Sequence, residues 1–303
     1  MKKKIRILKI GVTLTVVLSL ATVVIAPPSL VAGVVSEVGA GGFPISATDF
    51  SAVPQSVVED ATGLAVELFG DYPEKCNEFV NELLATYVEA KDKDFVMFFN
   101  SGGWGWNLLE ISPDWNSIFT GIQSELGKLG YTSLWLNYRR TLDPLKGHID
   151  ELMSMISLYP QKAKDLASRV EFLTDHIPDL KVIIGGESNG TVFCDRAMSI
   201  LKDNPRVYSI QTGPPFWYKN TVQDRTLVMR SNGVVPDAFS QGDLFTIVCA
   251  NLESFLGFSK PEDSGTILLY VGAPGHEYWW QDSEVYSQIT NFLQQILRLD
   301  NGG

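Results

Sequence analysis

The sequence predicts an α/β chain, a three-layer α/β/α sandwich around a mostly parallel central sheet of about six strands. Three observations lead there. Short apolar runs rich in β-branched and aromatic residues recur at 95–99, 132–138, from Lys181, and at 206–212, 226–231 and 266–271. Between them lie stretches whose apolar residues fall at helical spacing, an alternation that implies parallel pairing through crossovers and a sheet covered on both faces. With 303 residues, 45% hydrophobic and 19% charged, the chain can bury one large core.

The chain begins with Lys2, Lys3, Lys4, Arg6 and Lys9, followed by uncharged residues from Ile10 to Ala26 and then Pro27-Pro28. A basic start before an apolar core reads as a signal peptide or a membrane anchor over 1–33, and both alternatives stay open. Cleavage after Ala26 would leave Pro27 just past the cut, which is unfavourable, whereas a cut near Gly33 is acceptable. Either outcome puts the body outside the cytoplasm, secreted or anchored to the membrane by this segment. Residues 34–54, rich in Gly, Ala, Ser and Pro, read as a linker. The remainder, 55–303, reads as one folded domain.

Within that domain Val57, Ala61, Leu64, Ala65 and Leu68 mark one helix, and Phe79, Leu83, Leu84, Tyr87 and Val88 mark a second behind Pro73. The strand at 95–99 runs into Asn100-Ser101-Gly102-Gly103-Trp104-Gly105-Trp106. Ser112-Pro113 opens a helix carrying Trp115, Ile118, Phe119, Ile122 and Leu126. After the strand at 132–138, residues 142–176 are mostly helical with a break at Pro160. The strand from Lys181 meets Gly186-Glu187-Ser188-Asn189-Gly190, and a helix follows from Thr191 to Leu201. Next come a strand, the loop Gly213-Pro214-Pro215-Phe216-Trp217-Tyr218, another strand, and Asn232 to Asp237. A helix is expected from Ser240 to about Leu256, then the strand at 266–271, the loop Gly275-His276-Glu277-Tyr278-Trp279-Trp280, and a closing helix around Val285 to Ile296.

Charge and spacing exclude several function classes. The net charge is −11, and the body beyond the basic start is more acidic still, which disfavours nucleic acid as a partner. Cys76, Cys194 and Cys249 show no Cys-x-x-Cys spacing, and His148, His176 and His276 form no His-x-x-x-His, so no metal site and no cofactor are expected. No Gly-x-Gly-x-x-Gly follows a strand, which disfavours a dinucleotide.

Gly-x-Ser-x-Gly arises by chance in roughly one chain in ten of this length. Its place between an apolar strand and an amphipathic helix makes the coincidence much rarer and points to an exposed nucleophilic Ser188 on a sharp turn. A serine hydroxyl needs a base to take its proton, and an acid to orient that base. His276 follows the last expected strand, while His176 reads as a helix C-terminal residue. Asp237 stands four residues beyond Gly233 at a strand end. Asp243 is the alternative acid, although a box capped by Ser240 would explain it structurally. The Gly-rich loop after 95–99, Ser188, Asp237 and His276 all fall directly after strands, so one sheet edge would gather them.

This order of serine, acid and histidine around Gly186-Glu187-Ser188-Asn189-Gly190 resembles the α/β-hydrolase superfamily, of serine esterase or lipase type. The resemblance covers about residues 94–298, lacks the family's first two strands, and is similar in extent to the reduced six-stranded core of cutinases. It implies an oxyanion hole at the backbone N–H of Asn189 and near Gly103 or Trp104, with Asn100-Ser101 standing where the family usually has His-Gly. Gly242-Asp243 also resembles the Gly-Asp of cutinase-like enzymes. The loop aromatics Trp106, Phe216, Trp217 and Tyr278 imply a hydrophobic ester or lipid substrate. The expected activity is carboxylic ester hydrolysis through an acyl-enzyme. An acyltransferase or peptidase with the same triad, and a non-catalytic membrane-tethered binding module, are the alternatives.

Overall fold

Five of the apolar runs pair into one parallel sheet in the order β2-β1-β3-β4-β5: β1 (Phe95–Asn100), β2 (Ser133–Asn137), β3 (Lys181–Glu187), β4 (Val207–Thr212) and β5 (Thr226–Met229). The computed structural model describes residues 50–103, 105, 107–140, 157–221, 224–257, 265–268 and 271–300. Residues 1–49, with the expected leader and most of the linker, lie outside the described residues. So do Trp104, Trp106, His148 and the expected helix over 142–156.

Alternation along the strands builds two cores. Val96 and Phe98 of β1, Val182 and Ile184 of β3 and Val207 of β4 pack under α1 (Gln55–Phe69), α2 (Pro73–Ala90), α4 (Pro160–His176) and α5 (Asn189–Ile200). The intervening residues Phe95, Met97, Phe99, Ile183 and Ile210 face α3 (Pro113–Lys128) and α8 (Ser283–Asp300) on the other side. A period of two turned against two helical layers is what makes the sandwich three layers thick. Val53 is already buried in the first core, just past a short 3-10 turn at Phe50–Ala52, so packing begins slightly ahead of residue 55.

The chain moves from β1 to β2 on one side and then to β3 on the other. The chain direction thus reverses between β1 and β3, and in open sheets of this kind sites form at the carboxyl ends of the strands at such a switch point. The sixth expected strand does not join this sheet. Its described residues fall in β6 (Gly265–Leu268) and β7 (Val271–Ala273), an antiparallel pair of their own. A continuous apolar run does not reveal whether it stays straight or doubles back.

A second correction concerns the helix expected from Ser240 to Leu256. Gly242, at φ 74°, splits it into α6 (Ala238–Gln241) and α7 (Leu244–Phe255). Cys76, Cys194 and Cys249 lie on α2, α5 and α7 as free thiols. Among the described residues, no helix is long and apolar enough to cross a membrane.

Candidate active site

Ser188 follows β3 as a sharp corner, with φ 49° and ψ −123°, and α5 starts at the next residue. A non-glycine residue held there stores about 1–3 kcal/mol of strain, which the surrounding packing must outweigh. The motif glycines show how the corner fits. A Cβ at Gly186 would lie 2.5 Å from Cys194 Sγ, and one at Gly190 would run into the Asn100 carbonyl oxygen. The Ser188 N–H donates to the Thr212 carbonyl at 2.9 Å, tying the corner to the end of β4. Its Oγ is buried and has no hydrogen-bond partner among the described residues.

Asp237 ends the segment after β5 and caps α6, its Oδ1 accepting from the Phe239 and Ser240 N–H groups at 2.9 Å each. Its Oδ2 lies 2.9 Å from His276 Nδ1 and accepts the Tyr278 hydroxyl at 2.8 Å. Burial alone would raise this carboxyl's pKa, but the His276 and Ser240 bonds outweigh it and hold Asp237 below the usual range. With Nδ1–H given to the carboxylate, the lone pair of the neutral ring sits on Nε2.

Gly213 connects this pair to the serine. It directly follows Thr212, the residue bonded to Ser188, and a Cβ on it would lie 2.6 Å from His276 Cε1 and 3.2 Å from Asp237 Oδ2. Its φ of 60° likewise favours glycine. The imidazole and the serine corner thus meet the same short turn at the end of β4. His276 arrives from the β6–β7 hairpin rather than from a sixth sheet strand. That hairpin is seated on the acid loop through Ala238 N–H to the Pro274 carbonyl at 3.0 Å and Asn232 Nδ2 to the Glu277 carbonyl at 2.9 Å.

Asp243, the alternative acid, lies elsewhere. It is the N-cap of α7 itself, bonded to the Thr246 N–H at 3.1 Å and its hydroxyl at 2.7 Å, and those bonds lower its pKa. The expected box headed by Ser240 is absent, because Ser240 Oγ donates to the Pro214 carbonyl and Gly242 separates the helices.

The loop leaving β1 reaches the serine, since a Cβ at Gly102 would sit 2.9 Å from Ser188 Cβ. The Gly102 N–H donates to Glu187 Oε1 at 2.9 Å. That leaves Gly103 (φ 52°) as the described candidate donor on this loop, with Trp104 outside the described residues. Asn189 is the first residue of α5, where backbone N–H groups have no partner within the helix and form the positive end of its dipole. Among the described residues, no group of three His, Cys, Asp or Glu side chains is placed to hold a metal.

The loop aromatics divide. Phe216 packs under Gly242 and meets Trp217 edge-on at 4.9 Å. Trp217 is 49% exposed and rests on Phe239 at 5.4 Å, which rests on His276 at 5.0 Å. Tyr278 is not a pocket wall: it is buried, and its hydroxyl serves Asp237. Trp106 lies outside the described residues. Sequence reasoning missed Phe239, which sits two residues beyond the acid, and Arg140, whose guanidinium is buried against the β1 loop. An open cavity of about 410 Å³ beside β5, reaching Ser240 and Glu284, includes neither Ser188 nor His276.

No family model and no curated protein matches the sequence. Among solved structures, a Trichoderma reesei cutinase in complex with a C11Y4 phosphonate inhibitor is similar over 80% of this chain and 94% of that chain, at 15% identity and a TM-score of 0.39. A likeness that shallow carries no argument about chemistry, which rests on the geometry above.

Proposed function

We propose that this chain is a serine hydrolase of α/β-hydrolase type that cleaves carboxylic esters through an acyl-enzyme. The observation that carries this reading is the strained Ser188, its Oγ buried without a partner among the described residues, beside the turn against which the bonded Asp237–His276 pair packs. His276 Nε2 takes the hydroxyl proton as Ser188 Oγ attacks the ester carbonyl, and returns it to the leaving alcohol as the tetrahedral species collapses. Water then repeats the sequence on the acyl-enzyme, with His276 again acting as base and then acid. Asp237 fixes the ring tautomer and stabilises the imidazolium. The oxyanion takes hydrogen bonds from Asn189 N–H and from the N–H of Gly103 or Trp104, each donor lowering the barrier by about 3–4 kcal/mol.

The substrate class is a hydrophobic acyl ester or lipid, supported by Trp217 and Phe239, which pack edge-on in series toward His276. The basic-then-apolar start of the chain supports action outside the cytoplasm. Initial rates on p-nitrophenyl esters of graded acyl length test the proposal. Hydrolysis that rises with acyl length and falls by about six orders of magnitude in Ser188→Ala supports it. A folded wild type that hydrolyses none of the series removes it.

A further inference from the structure

The loop leaving β1 contains Gly102, Gly103 and Gly105, and its own residues cannot fix its shape. The last two have φ of 52° and 72°, and glycine is free to leave such angles. Its fixed points come from outside. On one side Glu187, the residue before Ser188, accepts the Gly102 N–H at 2.9 Å. On the other, Arg140 donates from Nη1 to the Ser101 carbonyl at 2.7 Å, and its backbone N–H donates to the Gly105 carbonyl at 2.9 Å. A turn bond, Gly105 N–H to the Gly102 carbonyl at 3.0 Å, joins the two halves.

Arg140 is itself held firmly. Its guanidinium lies 5.3 Å from the centre of the Tyr159 ring and 5.5 Å from that of Phe193, which belongs to the helix that Ser188 begins. It is 5% exposed, and a Cβ on Gly105 would strike its Nε at 2.7 Å. The loop therefore closes onto the guanidinium with no room to spare.

We propose that Arg140 and Glu187 are positioning residues that clamp the β1 loop at Ser101, Gly102 and Gly105 from two sides, so that its oxyanion donor is aimed before substrate arrives. This rests on the reading of Ser188 as nucleophile. Neither side chain touches substrate. Each acts through the backbone, and the Gly102 N–H is spent as an anchor. A preset donor strengthens only as charge develops, so loosening it slows turnover and leaves ground-state binding alone.

The test uses the full-length protein and four variants: Glu187→Ala, Glu187→Gln, Arg140→Ala and Arg140→Lys. For each, kcat and KM on the best p-nitrophenyl ester are measured, with the inhibition constant of an alkylboronic acid that forms a tetrahedral adduct on a serine. Glu187→Ala is expected to lower kcat by about 10- to 100-fold, keep KM within about twofold, and weaken the boronate by the factor lost in kcat/KM. Glu187→Gln retains an oxygen acceptor for the Gly102 N–H and is expected to recover most of the loss. Arg140→Ala should behave like Glu187→Ala, with partial recovery in Arg140→Lys. If Arg140→Ala does not fold, the Glu187 pair decides. Wild-type kcat in Glu187→Ala, or a loss that Glu187→Gln does not repair, overturns the clamp while the hydrolase reading stands. An inactive wild type that binds no boronate overturns both.

Discussion

Tyr278 and His276 share one oxygen of Asp237: Oδ2 accepts the tyrosine hydroxyl at 2.8 Å and lies 2.9 Å from the imidazole Nδ1. The carboxylate is thereby fixed from two directions, with backbone N–H groups of α6 on its other oxygen. A hydrogen bond to a charged acceptor contributes about 1.5–3 kcal/mol. Tyr278→Phe removes one such bond and leaves the buried ring in place. The expected outcome is a fall in kcat of about tenfold with KM unchanged and a destabilisation of that size at neutral pH, read by steady-state kinetics and urea denaturation.

The two aspartates after β5 separate by environment. Asp237→Asn keeps the α6 cap acceptor but favours the wrong imidazole tautomer, and is expected to lower kcat by about four orders of magnitude with the fold intact. Asp243→Asn keeps the exposed α7 cap acceptor and loses only its charge, and is expected to leave kcat within about twofold. Parallel turnover measurements, with circular dichroism to verify folding, check both.

Gly213→Ala places a methyl group where the His276 ring now lies. The imidazole must move, and a displacement of about 1 Å in a catalytic group costs on the order of 100-fold in rate. The expected variant is folded, somewhat less stable because alanine resists a φ of 60°, and slowed at least that much in single-turnover assays.

Glu187 sets a pH dependence of stability. Enclosure by the fold, with the charge of Asp114 nearby, raises its pKa from the usual 4.5 to about 8, and the Gly102 N–H and Arg140 only partly oppose that. Asp114 is raised too, by burial first and then by the neighbouring charge of Glu277. A folded pKa above the unfolded one means that the native state binds the proton more tightly. Stability from this group is therefore full below about 4.5 and is lost as pH rises toward 8. Glu187→Gln cannot lose a proton, so the expected stability of wild type falls relative to it across that window, measured by denaturation midpoints at successive pH values.

Much of this architecture was legible because it is local. Each of the five paired strands is an apolar run bounded by a polar or glycine-containing turn, and the serine corner announces itself through glycines that packing against Cys194 and Asn100 demands. What escaped depends on contacts distant in the chain. The antiparallel pairing of β6 with β7 leaves no mark in composition, because an apolar run reads the same whether it joins the main sheet or pairs with its own neighbour. Tyr278 carries the same signature as any loop aromatic, and its bond to Asp237 shows only where the acid loop and the His276 loop meet. Arg140 follows an edge strand like any surface arginine. Its role appears once the β1 loop folds over it.

The most direct measurement is covalent: the folded protein is treated with a fluorophosphonate and digested, and the modified peptide is sequenced by mass spectrometry. The account expects one adduct, on Ser188, formed at a rate that drops sharply in His276→Ala and Asp237→Asn but not in Asp243→Asn. A folded protein whose Ser188 stays unmodified under conditions that saturate a control serine hydrolase, or whose adduct sits on another residue, would contradict it.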